Sequence, residues 1–200
     1  YFVTLETFMD EYLTIFFLMQ NLKAKSLIIE KITSKHINEG WLTWVNDSEN
    51  VKIFNTPLNK NRKQLLKYLK SLKTNKDLMF AVRIKENNEY IGNIKINNVD
   101  HLNKICGYGR LLGSKKHKGK KYGLLMLYKI CEYAFEKLKM NKVFTPVFSD
   151  NYNSLTSNLE FGMRIAGYFK SHFKKNKEFK DVYYFELTKD EFKKIKVKFK

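Results

Sequence analysis

The sequence predicts an α+β fold, a mixed α/β domain built on one sheet, and three observations lead there. Two strand-like runs, Leu78 to Ile84 and Glu89 to Ile96, are separated by only Lys85, Glu86, Asn87 and Asn88, a hairpin signature. MRIAGYFKSHF and KDVYYFEL, near the end of the chain, form a second antiparallel pair. Between the two hairpins a long apolar-striped segment, Tyr122 to Lys139, stands between strand-like Ile105 to Gly113 and Lys142 to Phe148. A helix of that length is what a crossover between two parallel strands needs. Two hundred residues, 44% of them apolar, suffice for one buried core and one domain.

The elements follow in order. At the N-terminus, Leu5, Phe8, Tyr12, Ile15 and Met19 share one face at helical spacing. This predicts a helical extension over 1–21, packed on the domain, on a partner or on a membrane surface. Glu6, Asp10 and Glu11, with no basic leader before them, argue against a signal peptide or a spanning helix. The domain proper is expected over 22–196. It opens with the β-branched run Ser26 to Ile32, a strand, and continues through the helical or loop-rich GWLTWVNDSENVKIFN. Leu65, Leu66, Leu69 and Leu72 form a helical stripe, followed by the first hairpin. In the long crossover helix Leu124, Leu127, Tyr128, Cys131, Ala134, Phe135 and Leu138 share a face wide enough to cover a sheet. Pro146 lies inside the next strand. Proline cannot donate a ladder hydrogen bond, so that strand is at an edge or diverges from a neighbour there. NSLTSNLEFG reads as a short helix stopped by Gly162, and the closing hairpin completes the sheet.

Charge narrows the function. A net charge of +18 ordinarily suggests nucleic acid or an anionic surface. Here the cations are 34 lysines and four arginines in a chain also rich in Asn, Ile and Phe, the pattern of a general compositional bias. Arginine, the side chain of choice for bidentate phosphate and guanine contacts, is nearly missing, so specific nucleic-acid binding is not expected. Cys106 and Cys131 form no CxxC and the four histidines are scattered, so no metal site is expected. This pattern predicts a reduced, cytoplasmic protein.

The stretch SKKHKGKKYGLLMLYK, Ser114 to Lys129, crowds lysines around two glycines at the start of a helix. That end already carries the positive pole of the helix dipole, so lysines there are unfavourable unless an anion sits among them. Consecutive backbone N–H groups at such an end bind phosphate, and glycines allow close approach. YGRLLGSKKHKGKKYG, its helix, and the later Asn151-x-x-Ser154, Gly162 and Gly167 resemble the acyl-CoA loop and following segments of the GNAT N-acetyltransferase superfamily. In the family's Gln/Arg-x-x-Gly-x-Gly/Ala loop, Lys118 takes the first position, Lys121 stands where the first glycine is usual, and Tyr122 and Gly123 end the motif. Met163 replaces a common Phe. WLTWVND, YIGNIKI and the tail GYFKSHFKKNKEFKDVYYFEL are similar to the branch that holds ribosomal-protein and bacterial nucleotide-sugar N-acetyltransferases.

The resemblance implies a mostly antiparallel sheet whose central parallel strands splay apart, flanked by helices. It implies acetyl-CoA as cofactor, held by Leu111, Leu112, Gly113, Lys118, Gly119, Lys120, Lys121, Tyr122, Gly123, Asn151, Ser154 and Asn158. A backbone N–H at Leu111 or Leu112 would stabilise the oxyanion. Many relatives carry a general-acid tyrosine seven residues after the asparagine; here that position is Asn158. Tyr183 or Tyr184 could substitute, or both are packed aromatics. For the acceptor amine the candidates are Trp44 as a stacking face, Asp47 as an ammonium partner, and Asp100 and His101 as a base. Trp44 in the core and Asp47 as a helix N-cap are the structural alternatives. A basic protein favours an anionic acceptor, so a nucleotide-linked amino sugar is expected. The rival readings are a protein N-terminus or another small amine, and, from a different class, a non-catalytic acyl-CoA or nucleic-acid-binding module. A homodimer is a further expectation.

Overall fold

The computed structural model describes residues 26–53, 60–175 and 177–199; the helix expected over 1–21 lies outside them. The described strands are β1 (Leu27–Lys31), β2 (Leu78–Ile84), β3 (Tyr90–Asp100), β4 (Ile105–Leu112), β5 (Lys142–Phe148), β6 (Arg164–Lys175) and β7 (Glu178–Thr188). They form one sheet in the order β1-β2-β3-β4-β5-β7-β6. Every neighbouring pair is antiparallel except β4 and β5, which are parallel as the crossover helix required. The helices are α1 (Leu42–Asn46), α2 (Ser48–Ile53), α3 (Arg62–Thr74), α4 (Tyr122–Glu132), α5 (Tyr152–Phe161) and α6 (Lys189–Phe199). None of the described helices is long and apolar enough to cross a membrane.

Strand alternation divides the apolar residues between two cores. Val82, Ile84, Ile91, Ile94 and Ile96 face α4 and its continuation Tyr133–Lys137, where they meet Leu124, Leu127, Ile130 and Phe135. Leu125 and Met126 are buried as well, so α4 is covered almost all round. The cover on its outer side is α6, whose Phe192 lies 5.2 Å from the Phe135 ring and 5.6 Å from that of Tyr128. A smaller core on the other face holds Ile32, Ile37, Trp41, Leu65, Leu72, Ala81 and Tyr90. Asn61 and Gln64 start α3 with a reciprocal capping box.

Two features depart from the sequence reading. Strand β3 continues past Ile96 to Asp100, with an irregular register near its end. Helix α6 was not predicted; Thr188 and Glu191 cap it, the Glu191 carboxylate accepting from the Thr188 N–H at 2.7 Å.

A charged cluster ties β1 to β2 and the segment beyond it. Glu30 accepts from Arg83 Nε at 2.6 Å and lies 2.9 Å from the buried His36 Nε2, while Arg83 also pairs with Glu39. Arg83 first, then His36, holds the Glu30 carboxyl down at about 2. A depressed carboxylate stabilises the fold above its unfolded pKa and loses that contribution as pH falls through the folded value. Acid unfolding of the parent should therefore steepen between about pH 4.5 and about pH 2. In Glu30→Gln this part of the slope should be missing, with lower stability at neutral pH, as denaturant midpoints measured across that range will show.

Candidate active site

The site begins where the sheet comes apart. β4 and β5 pair only at Ile105↔Lys142, Cys106↔Val143 and Gly107↔Phe144, and beyond that point each keeps its outer neighbour but parts from the other. Thr145 Oγ1 donates to the Tyr108 carbonyl at 3.0 Å at the fork, and the next residue, Pro146, has no N–H to offer. The wedge between the strands is a cleft of about 520 Å³. Tyr108, Gly109 and Arg110 form one wall and Thr145 to Phe148 the other, with Asn151, Ser154 and Asn158 of α5 along it and Tyr184 at the rim.

At one end β4 turns into the lysine-rich loop. The N–H groups of Gly113 and Ser114 both donate to the Ile91 carbonyl, at 2.9 and 3.1 Å, and hang the loop from β3. Gly119 and Lys121 both have positive φ, +75° and +65°. Lys121 is the N-cap residue of α4 in a left-handed conformation, which explains why a glycine is usual there. No side chain caps α4. A β-carbon added at Gly119 would meet nothing within 4 Å, and one at Gly123 only Ser157 Oγ at 3.9 Å. Space beside an uncapped helix start is the cradle that a pyrophosphate requires. Replacing Lys121 with glycine should relieve about 1 kcal/mol of backbone strain and raise the Tm by about 2–4 °C. The exposed pair lost with Glu160 offsets little of this.

The lysines are not bare. Lys115 pairs with Asp47 at 2.8 Å, Lys116 with Glu89 at 2.9 Å, Lys118 with Glu49 at 3.1 Å, and Lys121 with Glu160. The anion that makes this cluster tolerable is thus supplied first by the protein's own carboxylates. Such exposed pairs contribute about 0–1 kcal/mol each, so a polyphosphate can displace them.

The remaining candidates divide. Asn151 caps α5, accepting from the Ser154 N–H, and both residues line the cleft. Asn158 is buried, and its Oδ1 accepts from Tyr108 Oη at 3.2 Å and Arg110 Nη2 at 2.9 Å. Leu111 lines a second cavity on the opposite face of β4. Leu112 packs on the main core, its position held by the pairing with Gly92. Trp44 lines neither cavity: it is packed on Gly113, where an added β-carbon would lie 1.9 Å from its Cδ2, and its ring is 4.6 Å from Tyr90. Asp47 caps α2, accepting from the Glu49 and Asn50 N–H groups, and the bonded Lys115 is the main cause of its lowered pKa. Asp100 is occupied by both nitrogens of Asn103 in the β3–β4 turn, and His101 is exposed beside it. Neither lines a cavity, whereas Asn97 and Asn98 line the cleft. Tyr183 faces away from the cleft and stacks 5.0 Å from Tyr168; alternation along β7 puts Tyr184 on the cleft side, 3.3 Å from His172 Nε2.

Sequence reasoning missed Arg110 and Trp41. Arg110 also donates through Nη1 to the Gly123 carbonyl at 3.0 Å. Trp41, with Leu65, Tyr68 and Met79, lines the second cavity, of about 320 Å³. The signal for Arg110 was a lone arginine inside an apolar, glycine-bearing strand.

Residues 26–164 match the acetyltransferase (GNAT) domain family. A curated relative, the uncharacterized N-acetyltransferase p20 of Bacillus licheniformis, is 28% identical over 113 residues, 56% of this chain and 63% of the relative's length. Among solved structures, spermidine N-acetyltransferase from Vibrio cholerae in complex with CoA and spermine superposes with a TM-score of 0.75 at 15% identity, covering 83% of this chain and 97% of that one. An acetyltransferase (GNAT family) from Bacillus anthracis gives 0.72 at 20% identity, covering 82% and 95%. At these identities the likeness of the structures is one of fold.

Proposed function

The chain belongs to the GNAT acetyltransferase family, an acyltransferase family that uses acetyl-CoA, and on that premise we propose that it acetylates the primary amine of a nucleotide-linked amino sugar by direct attack on the thioester. Acetyl-CoA, when bound, supplies an activated acetyl carbonyl. The loop amides at the start of α4 bind its pyrophosphate, with Lys118, Lys120 and Lys121 around them as countercharge. Asn151, Ser154 and the free edge of β4 line the route between the splayed strands. The unpaired edge of β4 near Leu111 and Leu112 is the source of a backbone N–H for the oxyanion.

The observation that carries the acceptor reading is the chemistry of the walls. No Asp or Glu is among the described residues lining either cavity. A polyamine brings several ammonium groups that would lie against apolar and cationic surface there, whereas Tyr68, backed by the buried Trp41, offers a ring and Lys60 and Lys95 positive charge to a flat, anionic body. Lys95 is already tied to Asp77 at 2.8 Å, which leaves Lys60 the better placed of the two. The spermidine N-acetyltransferase resembles this chain in fold; the lack of a carboxylate among the described lining residues is what supports a different acceptor here.

Free-thiol release with acetyl-CoA and a panel of nucleotide amino sugars, spermidine and basic-terminus peptides tests the proposal. Turnover should be highest with a nucleotide amino sugar; a higher kcat/KM for spermidine or for peptides overturns the acceptor assignment. Acetyl-CoA binding without turnover of any amine, or no binding at all, would support the non-catalytic reading.

A further inference from the structure

Gly109 and Arg110 are the two residues that line both cavities. If a donor occupies the cleft and an amine the second cavity, the reacting carbon lies at their junction, and Arg110 is the charged side chain there. Its surroundings are unusual for a cation. Its two hydrogen-bond partners among the described residues, the Gly123 carbonyl and Asn158 Oδ1, are neutral. Arg83 and Arg164, by contrast, each bind two glutamates. Among the described residues no carboxylate acts on Arg110, and loss of water lowers its pKa. Its surface stays partly open to the cleft while its guanidinium lies deep among protein atoms. A desolvated cation without a countercharge is costly, and the arrangement is favourable once an anion arrives.

Acyl transfer makes such an anion. The amine lone pair forms the C–N bond, the C–S bond breaks with its electron pair remaining on sulfur, and the surplus proton of the amine passes to water. The sulfur therefore departs as a thiolate unless a proton is delivered to it. Asn158 cannot deliver one, and arginine does not release its proton in proteins. Of the tyrosines lining the cleft, Tyr184 sits on the β7 wall with its hydroxyl 3.3 Å from His172 Nε2, away from Arg110's partners. Tyr108 is a poor donor: its hydroxyl is engaged by Asn158 Oδ1 and by Met163 Sδ at 3.0 Å, and burial makes the phenol a weaker acid. We propose that Arg110, held by Asn158 and the first turn of α4, stabilises the departing coenzyme A thiolate by its charge, in place of a proton donor. This rests on the acetyl-transfer reading above.

The test titrates the bound product. Free coenzyme A is added to saturation and the thiolate absorbance of the complex is followed against pH, with desulfo-coenzyme A as the blank. In the parent the bound thiol should titrate about 1–3 pH units below the free thiol, as expected for an opposite charge within about 4–6 Å. Arg110→Met should return it to the free value or above and lower kcat about 10²–10³-fold, with a smaller change in KM for acetyl-CoA. Arg110→Lys should recover part of both. A parent complex whose thiol titrates like free coenzyme A overturns the proposal, whether or not the Met variant folds. So does an Arg110→Met enzyme with parental kcat. Failure of the parent to bind coenzyme A would instead remove the reading on which the proposal rests.

Discussion

Gly92→Ala is expected to destabilise the fold by about 3 kcal/mol, the upper end of ordinary overpacking, and to lower the Tm by about 6–12 °C. A β-carbon there would lie 2.1 Å from the carbonyl oxygen of Leu111, a backbone atom in the paired strand that cannot swing aside. β3 and β4 would have to separate where Gly92 faces Leu112. The loop is suspended from Ile91, the adjacent residue, so the damage should reach the cradle as well. Thermal unfolding of the variant with and without acetyl-CoA measures both effects. A Tm within 2 °C of the parent would mean that the close approach of β3 and β4 at this point is not maintained in solution.

Gly123→Val is expected to do the reverse. The added carbons enter open space beside the helix start, and valine is no worse a helix former than glycine, so the unliganded Tm should hardly move. On the proposed reading, the same space is where the pyrophosphate approaches the N–H groups. Acetyl-CoA affinity should fall about 100-fold, or about 2.7 kcal/mol. At a concentration one hundred times the parental Kd, the thermal shift that mass action gives the parent should then largely vanish. Equal binding by parent and variant would place the phosphates elsewhere.

The residues differ in how much of this they disclosed beforehand. Elements whose logic is local could be read directly: strand-like runs marked β2 and β5 to the residue, and Gly162 announced the end of α5 with a positive φ of 99°. Pro146 disclosed the fork because a missing donor is a property of one residue. Thr188 and Glu191 carried an equally local capping signal for α6, hidden by the lysines that follow them. Asp47 resolved toward its local role as a cap. What stayed hidden depended on distant partners. Trp41 and Trp44 are three residues apart, and only distant elements decide that Trp44 packs on Gly113 while Trp41 reaches the second cavity. Tyr183 and Tyr184 are adjacent on a strand, and a one-residue difference in register exchanges their faces. Arg110 acquires meaning only from Asn158 and Gly123, which reach it across the fork from two other elements.

The fork also fixes where the molecule yields. On one side stand β1 to β4 with α3, on the other β5, β7 and β6, and the ladder joining the two halves consists of three residue pairs. Prying them apart breaks few hydrogen bonds, while bending either half would disturb long antiparallel registers. The shared core under α4 ties the two halves together, so any give along this seam is confined to the open end of the fork. The cleft lies on that line, so on the proposed reading a donor could enter and a product leave at the open end without local unfolding.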